Sequence, residues 1–224
     1  ANGHIPIVVG GTGFYIQALL YDIDFTSTAQ DDTYRAELEN LVKEKGAAYL
    51  HNMLRKVDPK SAEDIHANNV KRVIRALEYY RQTGQKMSEH NEEERRKESP
   101  YEFVYFVLNA PREQLYARID RRVDQMIEEG LVDEVKHLKE LGCTKEMVSM
   151  QGLGYKEILA YLDGECDLDT AVYTIKRDTR HFAKRQLTWF RRERQVTWIQ
   201  KEVYDYDEDR ILKAMLSHLE GRIC

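Results

Sequence analysis

The glycine-rich segment Gly10-Gly11-Thr12-Gly13 follows directly on a short apolar run from Ile5 to Val9. Glycines allow a ligand to approach the backbone closely, and the Thr12 hydroxyl can hydrogen-bond an anion or a base. A tight turn between a strand and a helix would use the same glycines, and the segment alone does not separate these explanations. No Gly-x4-Gly-Lys-Ser/Thr sequence occurs in the chain, so this segment is not a Walker-type P-loop.

Three arginines, Arg118, Arg121 and Arg122, lie on a helix that Pro111 is predicted to open. Arg118 and Arg122 share one helical face because they are four residues apart. The planar guanidinium group fits phosphate oxygens, which makes this face a candidate phosphate site. A solvated face paired with neighbouring aspartates is the alternative, and the spacing alone favours it.

The segment from Lys176 to Arg194 holds eight basic residues and two acidic ones, although the whole chain has a net charge of −5. Aromatic residues occur among the basic ones between Thr179 and Arg191. Basic side chains bind phosphates, and aromatic side chains stack on unpaired bases. The segment therefore indicates a polyanion such as RNA as its partner. A surface helix with buried aromatic residues is the weaker alternative, because few acidic residues oppose the charge.

Two further segments are candidates for the same partner. Lys71, Arg72 and Arg75 lie on a predicted helix and could contact a nucleic-acid backbone. The segment from Gln151 to Lys156 precedes another helix, whose free N–H groups favour an anion. A solvated helix face and a flexible loop are the respective alternatives, and the spacing does not exclude them.

The usage of cysteine and histidine excludes several classes of site. Cys143, Cys166 and Cys224 are far apart and odd in number, which fits neither a disulfide framework nor a zinc site. The seven histidines form no metal-binding pattern, and no Ser–His–Asp or Cys–His arrangement is supported by spacing. No uncharged apolar stretch is long enough to cross a membrane, and no basic leader segment is visible. We therefore expect a cytoplasmic protein without a membrane partner.

The patterns predict an α/β protein with few strands and many helices. Strands are predicted at Ile5–Val9, Phe103–Leu108 and Val196–Ile199. Helices are predicted at Phe14–Leu20, from Asp31 or Asp32 to Lys45, at Ala47–Val57, Val70–Thr83, Pro111–Glu129, Leu131–Leu141 and Gly154–Leu162, from Asp167 to Arg192, and at Asp207–Leu219. Residues 1–22 and 101–224 would form an α/β core and residues 23–100 a helical insertion. Three strands make a small parallel sheet, so we expect its N-terminal part to be missing.

These motifs together resemble the tRNA dimethylallyltransferase family (the isopentenyl-tRNA transferases) of the bacterial type. Several motifs in the family's order are a more specific signal than any one of them, and the resemblance covers essentially the whole chain. The matching segments are Pro6–Tyr15, Val70–Glu78, Arg118–Met126, Gly154–Glu157 and Thr179–Arg191.

The resemblance implies a P-loop nucleotide-kinase-like core with an all-helical insertion domain. It implies transfer of a dimethylallyl group from dimethylallyl diphosphate to N6 of adenosine 37, beside the anticodon of tRNA. The adenine would be flipped out of the anticodon stem-loop into a channel. The diphosphate would enter from the other end with Mg²⁺, which is held mainly by the diphosphate and the family's P-loop. A monomer is expected.

The resemblance also assigns site residues in this chain. Arg122 would hold the diphosphate, and Thr12 would serve both catalysis and tRNA binding. The other predicted tRNA contacts are Arg35, Lys71, Arg72, Arg75, Gln151, Gly152, Gly154, Tyr155, Lys156, Lys184, Arg185, Gln186, Thr188, Trp189 and Arg191.

The sequence departs from the family at one place. The family's P-loop, and the aspartate proposed as general base, have no counterpart here, so this chain alone is expected to be inactive. A catalytically inactive tRNA-binding fragment is therefore the first alternative. A small-molecule P-loop kinase with an arginine-bearing lid is the second, although it would leave the basic C-terminal segment without a purpose.

Overall fold

The computed structural model describes residues 4–23 and 32–220, and it divides the chain into two compact units. The first unit takes the chain up to Gly13 and from Phe103 onward, and the second takes Phe14 to Glu102. The predicted domains, residues 1–22 with 101–224 and residues 23–100, stay a prediction, since compactness alone does not define a folding unit. The possible helix start at Asp31, the residues before His4 and Cys224 lie outside the described residues.

All regular secondary structure among the described residues of the second unit is α-helical. Most of its buried apolar side chains form one cluster, in which Leu38, Leu50, Leu54 and Val73 are almost fully buried. Gly84, at φ 70°, ends the helix before it in the left-handed conformation, as its sequence position predicts. From Gly13 to Arg96 the helices are α1 (Gly13–Tyr21), α2 (Asp32–Lys45), α3 (Ala47–Val57), α4 (Pro59–Asp64), α5 (Val70–Thr83) and α6 (Met87–Arg96).

Two of these helices were not predicted. Pro59 occupies the first turn of α4, where a proline costs no hydrogen bond. Asp58 caps this helix by accepting a hydrogen bond from the Ser61 backbone N–H at 3.0 Å. The charged run after Met87 forms α6, in which Arg96 pairs with Glu92 one turn earlier.

The first unit combines a small sheet with five helices among its described residues. Strands β1 (Tyr105–Asn109) and β2 (Val196–Gln200) pair in parallel with Tyr105 opposite Val196. The helices bury a second apolar cluster, which contains Val135, Met150, Ile158 and Ile175. The helices are α7 (Arg112–Glu128), α8 (Leu131–Glu140), α9 (Tyr155–Leu162), α10 (Leu168–Phe190) and α11 (Glu208–Ser217).

The prediction of a buried strand at Ile5–Val9 is wrong in this structure. Residues 4–10 have no regular secondary structure, and Ile7 and Val9 are 85% and 91% exposed. A parallel strand needs a neighbour for its backbone hydrogen bonds, and within the described residues the sheet contains β1 and β2 only. The composition of the run favours a strand, but a strand forms only where it can pair.

The fold class is confirmed at a coarse level: the protein is a mixed α/β structure, rich in helix, with a small parallel sheet. The P-loop-type core and the missing N-terminal part of the sheet stay predictions. Within residues 4–23 and 32–220, every helix is too short or too polar to span a lipid bilayer.

Candidate functional site

Helix α10 is the main support of the candidate site. Asp167 begins it by accepting a hydrogen bond from the Thr170 N–H at 2.8 Å. Ala171 and Ile175 face the apolar cluster, and the helix packs against α7 and α9. Because one face is fixed by packing, the opposite face can present side chains in a stable arrangement.

The second half of α10 presents a basic groove. The lining residues within α10 recur every three or four positions, so they share one side of the helix, and Arg192 follows just past its end. The groove has a volume of about 400 Å³ and is open to solvent. The guanidinium of Arg185 lies over the Phe182 ring, 5.7 Å from its centroid. The lining residues are His181, Lys184, Arg185, Thr188, Trp189 and Arg192.

This groove contains two residues that the sequence analysis did not assign to the site, His181 and Arg192. Their spacing from Lys184 and Thr188 was the available signal, since three- and four-residue steps mark one helical face. Arg191, a predicted tRNA contact, is exposed at the end of the same helix. The arrangement combines cations with aromatic rings and suits a phosphate backbone with accessible bases.

The first half of α10 is less cationic than its sequence suggests. Lys176 forms an ion pair with Asp124 at 2.5 Å, and Arg180 forms one with Asp120 at 2.6 Å. Only two acidic residues lie within the segment itself, but two further carboxylates on α7 neutralise part of its charge. Arg177 also contacts Asp178 at 2.8 Å, and that contact, against a smaller opposing effect of burial, lowers the pKa of the Asp178 carboxyl.

The glycine loop, residues 10–13, lies against α10 in the first unit. Gln186 donates a hydrogen bond from Nε2 to the Gly11 carbonyl oxygen at 2.7 Å. A Cβ atom on Gly11 would lie 2.4 Å from Gln186 Nε2, and one on Gly13 would lie 2.1 Å from Trp189 Cδ1. The structure therefore places Gln186 and Trp189, both predicted as tRNA contacts, against the loop that carries Thr12.

Arg122 is largely solvent-exposed on α7. Its side chain is 62% exposed, and Nη1 lies 3.7 Å from Glu129 Oε2. Asp120 and Asp124 form ion pairs with α10. Arg122 lies on the other side of α7, because it is two residues from each of them along the helix. The contacts of the described residues thus leave the Arg122 guanidinium available to a ligand, but they do not bring it to the groove on α10.

The predicted tRNA-binding segment at residues 151–156 contacts carboxylates of the protein itself. The Gly154 N–H donates to Glu157 Oε2 at 2.9 Å, so this donor of the α9 start is already satisfied. Tyr155 donates its hydroxyl to Glu134, and this hydrogen bond, together with burial, raises the pKa of Tyr155. Lys156 Nζ lies 3.3 Å from Glu157 Oε1.

Gln151 and Gly152 belong to the same segment. Gln151 ends a short 3₁₀ turn, Val148–Gln151, and donates from Nε2 to the Lys145 carbonyl. Gly152 follows that turn in an extended conformation. Their contacts with tRNA stay a prediction.

The predicted contacts in the second unit divide into two groups. Lys71, Arg72 and Arg75 are exposed on α5. Arg35 instead donates from Nε and Nη2 to the two carboxylate oxygens of buried Glu78, at 2.8 and 2.7 Å. Arg35 therefore ties α2 to α5, and its predicted contact with tRNA stays a prediction.

No group of three or more histidine, cysteine, aspartate or glutamate side chains that could hold a metal ion is found in the described part of the chain. Mg²⁺ is predicted to be held mainly by the substrate's diphosphate. We therefore assign none of these side chains to that ion.

Comparisons with known proteins point to one family. The model of the IPP transferase family matches residues 1–193. The tRNA dimethylallyltransferase of Lachnoclostridium phytofermentans is 60% identical over 219 residues, which cover 98% of this chain and 70% of that protein.

Two solved structures are also similar. A tRNA delta(2)-isopentenylpyrophosphate transferase from Staphylococcus epidermidis is 37% identical, with a TM-score of 0.61 over 97% of this chain and 70% of that one. A eukaryotic dimethylallyltransferase that acts on tRNA is 30% identical, with a TM-score of 0.73 over 95% of this chain and 56% of that one.

Proposed function

Because the chain belongs to the IPP transferase family, we propose that it takes part in transferring a dimethylallyl group to tRNA. The observation that carries the proposal is the basic groove on α10, with the Thr12 loop held beside it. Relatives of this chain are named for the same reaction. The chain spans about 70% of the length of the relative with which it shares 60% identity.

The proposed acceptor is N6 of adenosine 37, and the proposed donor is dimethylallyl diphosphate. N6 attacks C1 of the donor, the bond from C1 to the diphosphate oxygen breaks, and the diphosphate leaves with the electron pair. The amine then loses one proton. The reaction needs two things from the protein: alignment of the nucleophile and stabilisation of the leaving group's charge.

The residues of this chain would divide these tasks between them. Arg122 offers a guanidinium group with a loose ion pair and 62% exposure, which suits a diphosphate as partner. Lys184 and Arg185 would bind phosphates of the anticodon stem-loop, and Thr12 would contact the RNA beside the reacting base. Mg²⁺, when bound with the diphosphate, would neutralise part of its charge.

The direct test follows the transferred group. The full-length protein is incubated with a tRNA transcript and labelled dimethylallyl diphosphate, and the digested tRNA is examined by mass spectrometry. We expect the label on N6 of adenosine 37. A matched tRNA with guanosine at position 37 should remain unlabelled. Labelling at another position, or label in the guanosine control, would contradict the proposed acceptor.

The same assay with the 224-residue chain alone separates the alternatives. Binding of the anticodon stem-loop without transfer would make this chain a tRNA-binding fragment. Phosphorylation of a small molecule by ATP without any need for tRNA would instead favour a kinase.

A further inference from the structure

Two side chains of α10 hold the glycine loop, residues 10–13, from the same side. We propose that Gln186 and Trp189 are positioning residues, which fix this loop on α10 and thereby set the place of Thr12. The proposal rests on the proposed function, because it assigns Thr12 to the reacting end of the tRNA site. It differs from the predicted role of both side chains as direct tRNA contacts.

The contacts that support this role are specific to the two glycines. Gln186 Nε2 donates to the Gly11 carbonyl at 2.7 Å, which fixes the peptide unit that links Gly11 to Thr12. Trp189 approaches Gly13 so closely that a Cβ atom there would overlap the indole ring at 2.1 Å. Thr12 lies between these two anchored residues in the chain, so both of its peptide neighbours are held by α10.

The loop has little other support on its N-terminal side. Residues 4–10 lack regular structure, and Ile5, Ile7 and Val9 are exposed. A Cβ atom on Gly10 would meet open space. Without α10, the segment before Thr12 would therefore be free to move.

Helix α10 is packed against the core of the first unit near Gln186 and Trp189. Ala183 and Phe190, one on each side of Gln186 along the helix, are buried. The Phe190 ring packs edge-on against Tyr105 of β1, with centroids 6.3 Å apart. Loop position is thus set by a helix that is fixed to the core of the first unit.

Trp189 also lines the basic groove, but Gln186 does not. Lys184 and Arg185 are exposed in the groove, whereas Gln186 turns to the loop. Loss of Gln186 should therefore misplace Thr12 while the phosphate contacts remain. Misplacement of an aligned group lowers kcat strongly, by roughly 10- to 100-fold, and leaves the KM for tRNA little changed.

The first test reads the loop directly. In the 224-residue chain, Gln186→Ala should shift the NMR signals of the Gly11 carbonyl carbon and the Thr12 amide nitrogen, because their shared peptide loses its hydrogen bond. Gln85→Ala, at an exposed residue of the second unit, is the matched control and should leave both signals in place. Unchanged loop signals in Gln186→Ala would overturn the proposal.

The second test uses a double-mutant cycle. Gly11 has no left-handed φ, so alanine fits its backbone, and the three atoms nearest the new Cβ would all belong to the Gln186 amide. Gly11→Ala should therefore displace Gln186 and reproduce the loop shift and the loss of kcat. In the Gln186→Ala background the same change should add nothing. Additive effects on kcat would mean that the two residues act separately.

Steady-state kinetics in the full-length protein distinguish positioning from RNA contact. We expect Gln186→Ala to lower kcat with an unchanged KM for tRNA, and Gln186→Met, which keeps the approximate length and the neutral charge but not the donor, to do the same. A raised KM with unchanged kcat would identify Gln186 as an RNA contact and overturn the proposal. If the wild-type protein transfers no dimethylallyl group, the proposed function fails, and this role in the reaction fails with it. The loop shift and the double-mutant cycle followed by NMR would then still report the anchoring of the loop.

Discussion

At the scale of single residues, Asp58 has a role that its sequence position only partly suggests. The carboxylate is fully buried and accepts hydrogen bonds from the backbone N–H groups of Ser61 and Ser88, both at 3.0 Å. It also accepts from their two hydroxyl groups, at 2.5 and 2.6 Å. One side chain therefore caps α4 and joins it to α6. Burial alone would raise the pKa of Asp58, but the four hydrogen bonds outweigh it and lower the pKa.

We expect Asp58→Asn to destabilise the second unit by roughly 2–4 kcal/mol at pH 7, because an amide NH₂ would face donors. A carboxyl whose pKa is lowered by folding stabilises the protein above its ordinary pKa of 3.8. That contribution is lost as the pH falls from this value through the lower folded pKa. Urea denaturation at pH 7 and at pH 3 measures both effects. The difference in unfolding free energy between the variant and the wild type should be smaller at pH 3 than at pH 7.

The control for Asp58 is Asp64→Asn, since Asp64 is exposed and lies 3.7 Å from Lys60 on the surface of the same helix. Exposed pairs contribute little, so this change should alter stability by less than about 1 kcal/mol. An equal loss of stability in the two variants would show that the hydrogen bonds of Asp58 do not cause the destabilisation of Asp58→Asn.

Arg122 carries the second prediction at this scale. Arg122→Ala should lower kcat by roughly 10²- to 10³-fold with a smaller effect on tRNA affinity, because a diphosphate-binding cation acts as the leaving group departs. The measurement is kcat together with the Kd for tRNA in the full-length protein. Arg121→Ala is the matched control, since Arg121 is exposed one residue away. Equal losses in kcat and in tRNA affinity would contradict the role.

At the scale of elements, helices were predictable where their own residues specify both the apolar face and the ends. The predicted helices α2, α5, α7 and α10 are confirmed to within two residues, because their stop glycines and the Asp167 cap act locally. Helix α4 depends on Asp58, whose partner Ser88 is 30 residues away, and local patterns do not contain that contact. The strand prediction at Ile5–Val9 is wrong for the same reason, since a strand depends on a neighbour that is distant in sequence.

The candidate site was predictable to a similar extent. The four-residue step from Lys184 to Thr188 indicates a shared face of α10, and both side chains line the groove. The contacts of Gln186 with Gly11, and of Lys176 with α7, join segments that are far apart in the chain. Charge counting along the sequence therefore overestimated how much of α10 can bind a polyanion.

The two halves of α10 should respond differently to loss of a cation. Lys184→Ala should weaken binding of the anticodon stem-loop and reduce the slope of log K against log salt by about 0.7–0.9, because one phosphate contact is lost. Lys176→Ala removes a cation already paired with Asp124, so it should leave the slope unchanged. The binding constant is measured by titration at salt concentrations from about 50 to 200 mM, a range over which the loss of phosphate contacts changes the affinity strongly. Equal slopes for the two variants would contradict the division of the helix.

At the scale of the whole molecule, residues 4–23 and 32–220 contain two apolar cores rather than one. Leu54 belongs to the core of the second unit and Ile158 to that of the first, and each is almost fully buried. Both units contribute predicted tRNA contacts, with Lys71 and Arg75 on α5 and Lys184 on α10. If the units fold independently, a change in one core should leave the other unit's stability unaffected.

Hydrogen exchange in two matched core variants tests this independence and the predicted insertion together. Leu54→Ala should cost roughly 2–5 kcal/mol and accelerate amide exchange in α2 to α5, while exchange in α7 to α10 stays at the wild-type rate. Ile158→Ala should do the reverse. Faster exchange throughout the chain in either variant would show one cooperative unit, and residues 23–100 would then not be a separate insertion. If the predicted separation holds, Leu54→Ala should also remove the contribution of Lys71 to RNA binding, because α5 depends on the core of the second unit. The contribution of Lys184 should remain, because α10 depends on the core of the first unit.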